Sequence, residues 1–320
     1  MEEAIRNFPK QFEWESEIEN KANWKEFSSF VLVGMGGSHL VGDIFQASAP
    51  GFNLSMHQDY GLPSWPLVVL KDTLVIASSY SGNTEETLSA FEEAISKQIP
   101  VAAISIGGKL LEMAKKHGVP YIQLPDTGIQ PRMATGFMFK ALAKMTGRED
   151  LLQQSSGLAK LHPEEFQEKG AALAKKLKGK IPVVYASNRN YCIAYIWKIK
   201  FNETGKIPAF YNLFPELNHN EMTGFDAKPS TKSLSEKFHF IFLRDSQDGE
   251  RIQKRMNILE SLYAERGLEV ETVDLEGSSR MERIFSSLLL ADWIAYHIAQ
   301  LHGVDPEQVP MVEEFKQRMV

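Results

Sequence analysis

Ser78-Ser79-Tyr80-Ser81-Gly82-Asn83-Thr84-Glu85-Glu86-Thr87 separates two segments of different periodicity. Leu74-Val75-Ile76-Ala77, just before it, is a continuous apolar run of the kind that forms a buried strand. Residues 87–95, just after it, carry apolar side chains at helical spacing. A loop of small hydroxyl residues between a strand's carboxyl end and a helix's start is suited to hold an oxyanion. Hydroxyls and free backbone N–H groups supply donors there, and the helix terminus adds a partial positive charge. Thr84 is expected to cap the helix. The alternative is a capped turn in which serine serves only solubility.

Working outward, strand-like and helix-like stretches alternate. Strands are expected over 30–33, 73–77, 101–105 and 120–124, and helices over 84–96, 109–117 and 132–145. Residues 146–178 are charged with helical spacing. The alternation then restarts, with strands at 181–186, 238–243 and 268–275 and helices at 191–202, 247–266 and 280–302. Continuous apolar strands alternating with helices imply parallel sheets covered on both faces. The fold class is therefore α/β, as two successive open units. The expected organisation is a helical extension over 1–27, a first unit over 28–150, a helical connector over 151–178, and a second unit with a C-terminal helix over 179–320. The second unit has its own anion-loop-like turn, Ala186-Ser187-Asn188-Arg189-Asn190.

The 320 residues suffice for two domains, and a composition of 43% hydrophobic and 24% charged residues is that of a globular protein. A net charge of -6 argues against a broad nucleic-acid surface. The single cysteine, Cys192, excludes an internal disulfide, fits a reducing cytoplasm, and is expected to fill space in the core. No window reads as eighteen or more apolar residues, and the acidic start lacks a signal core, so no membrane association is expected.

Several residues carry candidate chemistry. Gly34-Met35-Gly36-Gly37-Ser38 follows the first strand, where a doubly wound sheet binds its ligand. A dinucleotide fingerprint would need glycine where His39 stands, although Asp59 is a passable ribose acid by distance. The competing reading is that Gly36 and Gly37 admit a small ligand close to the backbone while Ser38 adds a hydroxyl. Together with Ser79, Ser81 and Thr84, that makes two loops facing one anion. Arg132, at the start of a helix where the macrodipole disfavours a cation, suggests an anionic partner; the alternative is a solvated charge. Glu203 emerges at the carboxyl end of an apolar helix, where dipole and partial burial suit a base. His219 lies in the polar run Pro215-Glu216-Leu217-Asn218-His219-Asn220-Glu221, and the two make a candidate acid–base pair. Their plain alternative is a surface glutamate and a loop histidine. No metal is expected, since there is no H-E-x-x-H and no cysteine cluster. Lys206 and the run Lys175-Lys176-Leu177-Lys178 read as solvated charge.

Gly36-Gly37-Ser38, the Ser79 to Glu86 loop, Pro131-Arg132, Asn202-Glu203 and Glu216-Leu217-Asn218-His219-Asn220-Glu221 resemble the sugar isomerase (SIS) fold. More narrowly, the sequence is similar to the bifunctional phosphoglucose/phosphomannose isomerase family, including a tail with Gly303-Val304-Asp305-Pro306 and Glu314-Phe315-Lys316. The resemblance implies two tandem SIS subdomains, each a flavodoxin-like parallel-sheet αβα unit. It also implies a cytoplasmic homodimer with an active site shared between subdomains and subunits. The implied activity interconverts glucose 6-phosphate and fructose 6-phosphate through a cis-enediol without a cofactor, with mannose 6-phosphate as a candidate second substrate. Gly36, Gly37, Ser38, Ser79, Ser81 and Thr84 would then bind the phosphate. Glu203 would shuttle the proton, His219 would assist ring opening, Arg132 would stabilise the enediolate, and Lys316 would touch the sugar. Dual activity is associated with a hydroxyl residue shortly before the terminal lysine, where this chain has Val309. A non-catalytic phosphosugar-sensing SIS module and an SIS enzyme for amino sugar phosphates are the alternatives.

Overall fold

The structure, a computed structural model, describes residues 1–21 and 24–319. It divides into two compact units, one of Asn7–Leu161 and one of Met1–Arg6 with His162–Val320.

The unit of Asn7–Leu161 holds a five-stranded parallel sheet of β1 (Phe30–Val33), β2 (Leu54–His57), β3 (Leu74–Ser78), β4 (Val101–Ser105) and β5 (Tyr121–Gln123), in the order β2-β1-β3-β4-β5. Its other elements, taken in chain order with α1 (Glu2–Arg6) belonging to the other unit, are α2 (Gly37–Ser48), α3 (Leu67–Lys71), α4 (Glu85–Ser96), α5 (Gly108–His117), α6 (Thr135–Met145) and α7 (Glu149–Ser156). β1, β3 and β4 are buried along their whole length, as strands covered on both faces must be. Val31, Val75, Ala90, Phe91, Ala103 and Leu110 form the centre of one core.

The other unit holds a four-stranded parallel sheet of β6 (Ile181–Ser187), β7 (Phe210–Phe214), β8 (Phe238–Arg244) and β9 (Glu269–Asp274), in the order β7-β6-β8-β9. Its helices after α1 are α8 (Gln167–Lys176), α9 (Tyr191–Glu203), the short α10 (Glu221–Gly224) and α11 (Lys232–Ser235), α12 (Glu250–Glu265), α13 (Arg280–His302) and α14 (Pro310–Met319). Tyr185, Phe214, Phe240, Phe242 and Tyr263 build an aromatic core under this sheet.

Both units match the expected α/β class, with some differences in detail. The N-terminal segment is helical only over α1 and a 3-10 turn at Phe8–Phe12, and these fall in different units. The stretch read as a connector is helical but divides at Leu161. Its second half is built into the second unit: Trp293 Nε1 donates to the Pro163 carbonyl at 2.7 Å, and a Cβ on Gly170 would lie 2.6 Å from that of Trp293. The strands β2 and β7 and the helix α3 go beyond the expectation from sequence. α13 meets the length and composition of a membrane span, contrary to the sequence reading, yet 78% of that apolar window is buried inside the protein. Cys192 is buried, as expected.

Candidate active site

In each sheet the strand order reverses direction at one place, between β1 and β3 in the first unit and between β6 and β8 in the second. Ligands of open α/β sheets bind at the carboxyl ends of strands flanking such a switch.

In the first unit this place is built by close backbone approach. A Cβ on Gly34 would lie 2.9 Å from the Ser78 carbonyl oxygen, and one on Gly37 would lie 2.8 Å from the Pro131 carbonyl and 3.0 Å from Arg132 N. Gly82 has φ +74, and a Cβ there would lie 1.8 Å from the Gly107 carbonyl oxygen. Any side chain at these positions would push the loops apart. Glycine thus brings the turn after β1, the loop after β3 and the turn before α6 onto one another.

The hydroxyls are held within this frame. Ser38, buried in the first turn of α2, accepts from Tyr80 N at 2.9 Å. Ser79, also buried, shares a 2.8 Å hydrogen bond with Thr84 Oγ1 and accepts from Gly82 N at 3.1 Å. Ser81 is exposed and accepts from Asn83 N at 3.3 Å. Thr84 occupies the N-cap position of α4, but its side chain makes no cap bond and turns to Ser79 instead. That corrects the expectation of a capping threonine. Gly36, with φ +51, lies beside them.

Arg132 is 3% exposed, so it is not a solvated charge. It lies in the 3-10 turn Pro131–Met133, not in the helix, which begins at Thr135. Gln11, which carries no signal in the sequence, secures this corner. Its amide donates to the Met133 carbonyl at 2.7 Å, and its carbonyl accepts from Gly136 N and Phe137 N at 3.0 and 3.2 Å. Two orphan donors of α6 are thereby satisfied by a side chain more than a hundred residues away.

In the second unit Glu203 is the last residue of α9 and is half-buried. The helix is anchored one turn earlier by Lys200, whose ammonium meets Asp292 of α13 at 2.5 Å with both side chains 3% exposed. Removing one partner of such a buried pair costs about 3–5 kcal/mol. Trp197 Nε1 adds a 2.9 Å bond to Ser287 Oγ. Lys206, read as a solvated charge, is half-buried and donates to the carbonyls of Glu203 and Gln308.

His219 ends the 3-10 turn Glu216–His219 and is exposed. Its polar neighbours bond among themselves: Arg255 donates to Asn218 Oδ1 at 3.3 Å, and Asn220 donates to Glu216 at 2.7 Å. Glu221 accepts from the Tyr185 hydroxyl and the Asn212 amide. Burial pushes both phenols behind Glu221 upward, Tyr263 to about 12 and Tyr185 further. Lys316 is exposed on α14 and pairs with Glu313 at 2.8 Å. Among the described residues no hydrogen bond or ion pair joins His219 to Glu203 or Lys316.

The turn Ser187–Asn190, expected to resemble an anion loop, is instead occupied by the chain's own carboxylates. Asp248 accepts from Ser187 Oγ at 2.7 Å and from Asn190 Nδ2 at 3.4 Å. Asp245, fully buried, receives Arg189 at 3.4 Å and Arg280 at 3.2 Å, with Arg283 Nε 3.7 Å away. Burial pushes the Asp248 carboxyl above its ordinary value, against the lowering effect of the Ser187 hydroxyl. Among the described residues no group of three or more His, Cys, Asp or Glu side chains is placed to hold a metal ion.

Two parallel-sheet units, the first with a hydroxyl-lined crevice, define a protein of the SIS class. Residues 166–319 match the model of the bacterial phospho-glucose isomerase C-terminal SIS domain. A hypothetical protein of Thermus thermophilus shares the fold with a TM-score of 0.68 at 17% identity, covering 99% of this chain and 87% of its own. A bifunctional phosphoglucose/phosphomannose isomerase of Aquifex aeolicus is 35% identical over 99% of this chain and 97% of its own length. One of Thermoplasma acidophilum is 37% identical over 92% of this chain and 90% of its own. The chain belongs to the bifunctional phosphoglucose/phosphomannose isomerase family.

Proposed function

We propose that this protein interconverts glucose 6-phosphate with fructose 6-phosphate, and mannose 6-phosphate with the same ketose, as a cytoplasmic homodimer. The observation that carries the reading is the first unit's crevice. There Ser38, Ser79 and Thr84 present neutral hydroxyls beside the N-termini of α2 and α4, with Arg132 buried in the turn pressed against Gly37. Hydroxyls and helix termini suit a phosphate, and Gly36, Gly37 and Ser81 extend the same surface.

The phosphate, remote from the reacting carbons, supplies binding energy that positions C1 and C2. The Glu203 carboxylate takes the proton from C2 of the open-chain aldose while the C1 carbonyl becomes an enediol oxygen. It returns the proton to C1 as the C2 hydroxyl gives up its own proton, the C1 oxygen takes one up, and the C2 oxygen becomes the ketose carbonyl. Arg132 stabilises the negative charge that develops on the enediolate. The ring must open first, and His219 moves a proton between ring oxygen and anomeric hydroxyl in that step. Its exposure at the end of the 3-10 turn supports donation to the active site of a second copy. Lys316 contacts a sugar oxygen. Val309 stands where a hydroxyl residue would accompany dual activity, so the mannose 6-phosphate reaction has less support from this chain's residues than the glucose 6-phosphate one.

The test is a coupled assay on purified protein with each aldose phosphate. Glu203→Gln should lower turnover by about 10²–10⁴-fold while fructose 6-phosphate still binds. Equal activity of parent and variant would remove Glu203 as the base.

A further inference from the structure

We infer that Lys206 is a positioning residue that clamps the C-terminal tail to the end of the helix carrying Glu203. The carbonyls at the end of α9 can be followed one by one. Thr204 N and Gly205 N donate to the Lys200 carbonyl at 2.9 and 3.1 Å, and Ile207 N donates to that of Phe201 at 3.2 Å. The Glu203 carbonyl receives the Lys206 ammonium. A helix C-terminus leaves carbonyls without partners and carries a partial negative charge, so a cation there is favourable twice over. Lys206 reaches the position by adopting φ +57, a backbone conformation that disfavours any residue with a Cβ. The Asn202 amide stiffens the same turn through a 2.9 Å bond to the Ile207 carbonyl.

The same ammonium also donates to the Gln308 carbonyl. Gln308 belongs to a tight turn in which Asp305 Oδ1 accepts from Glu307 N at 2.7 Å and from Gln308 N at 3.4 Å. Val309, Pro310 and α14 with Lys316 follow directly. α14 buries no residue of its own, and Met311 and Phe315 are 82% and 63% exposed. The tail therefore depends on its first residues for attachment. The Met1 ammonium on Glu307 and Lys206 on Gln308 are bonds that supply it. One side chain thus ties the backbone of Glu203 to the segment that bears Lys316. The kinetic part of this inference rests on the function proposed above; the clamp itself does not.

The experiment compares Lys206→Met and Lys206→Arg with the parent protein by amide hydrogen exchange and by steady-state kinetics. Lys206→Met should speed exchange over 307–319 at least about tenfold, with β6 and β8 unchanged. It should lower kcat by about ten- to a hundredfold with little change in KM for fructose 6-phosphate, because the reacting groups are displaced and phosphate binding is not. Lys206→Arg, which keeps a charged donor, should restore most of both. Should Lys206→Met fail to fold, Asp305→Ala undoes the turn at Gln308 without touching α9 and should release the same segment. Unchanged exchange in the tail overturns the clamp. Faster exchange with unchanged kcat overturns its role in turnover. A parent that binds but does not isomerise sugar phosphates overturns the proposed function, and the exchange result still decides the clamp.

Discussion

The crevice between β1 and β3 and the crevice between β6 and β8 occupy the same topological position in their sheets but are filled differently. The first is lined by serine and threonine hydroxyls that bond to one another and to backbone N–H groups. The second is filled by Asp245 and Asp248, held by Ser187, Asn190, Arg189 and Arg280. A hydroxyl can donate or accept, so Ser79 and Thr84 can exchange each other for an arriving oxyanion at small cost. A buried carboxylate among arginines cannot be exchanged without leaving charges unpaired. The first, in the function proposed above, takes an external anion, whereas the second holds carboxylates of its own chain.

Three substitutions break or sharpen that contrast. The largest effect is expected from Asp245→Asn, which removes the charge facing the buried Arg283 and the half-buried Arg280. Urea unfolding should show a loss of about 3–5 kcal/mol, and an unchanged midpoint would mean the arginines do not depend on it. Gly37→Ala comes next, because its Cβ would meet the Pro131 carbonyl at 2.8 Å. It should cost about 1–3 kcal/mol in the same measurement and weaken sugar-phosphate binding by pushing the Pro131–Arg132 turn away from the start of α2. Thr84→Val is the mildest. It keeps shape and removes one hydroxyl, so stability should stay within about 1 kcal/mol while calorimetric affinity for fructose 6-phosphate falls about tenfold. An unaffected affinity would take Thr84 out of the site.

The β3–α4 loop and most of the buried strands are legible in the sequence because both signals are local. Leu74–Ser78 and Val101–Ser105 are continuous apolar runs, and Ser81-Gly82-Asn83-Thr84 has the composition of a turn. β2 and β7 are not, because they lie at sheet edges, are only partly buried, and mix polar with apolar residues. Thr84 reads as a cap, yet Ser79, five residues earlier, outcompetes the helix N–H groups for its hydroxyl. Arg132 reads as a charge in need of a partner or of solvent, and only the fold shows that it is buried. Lys206 looks ordinary because its acceptors are backbone carbonyls, which carry no side-chain signature, and one of them lies about a hundred residues away. The pairing of Asp245 with Arg189, Arg280 and Arg283 is equally invisible to spacing, since β8 and α13 meet only in three dimensions.

The Ser79–Thr84 pair has one more consequence, for proton bookkeeping. Neither alcohol gains or loses a proton anywhere near neutrality. A cage of this make has no acidity of its own to report. If the site takes the phosphate monoester proposed above, the pH dependence that these hydroxyls' grip shows traces the second ionisation of the guest, near pH ~6.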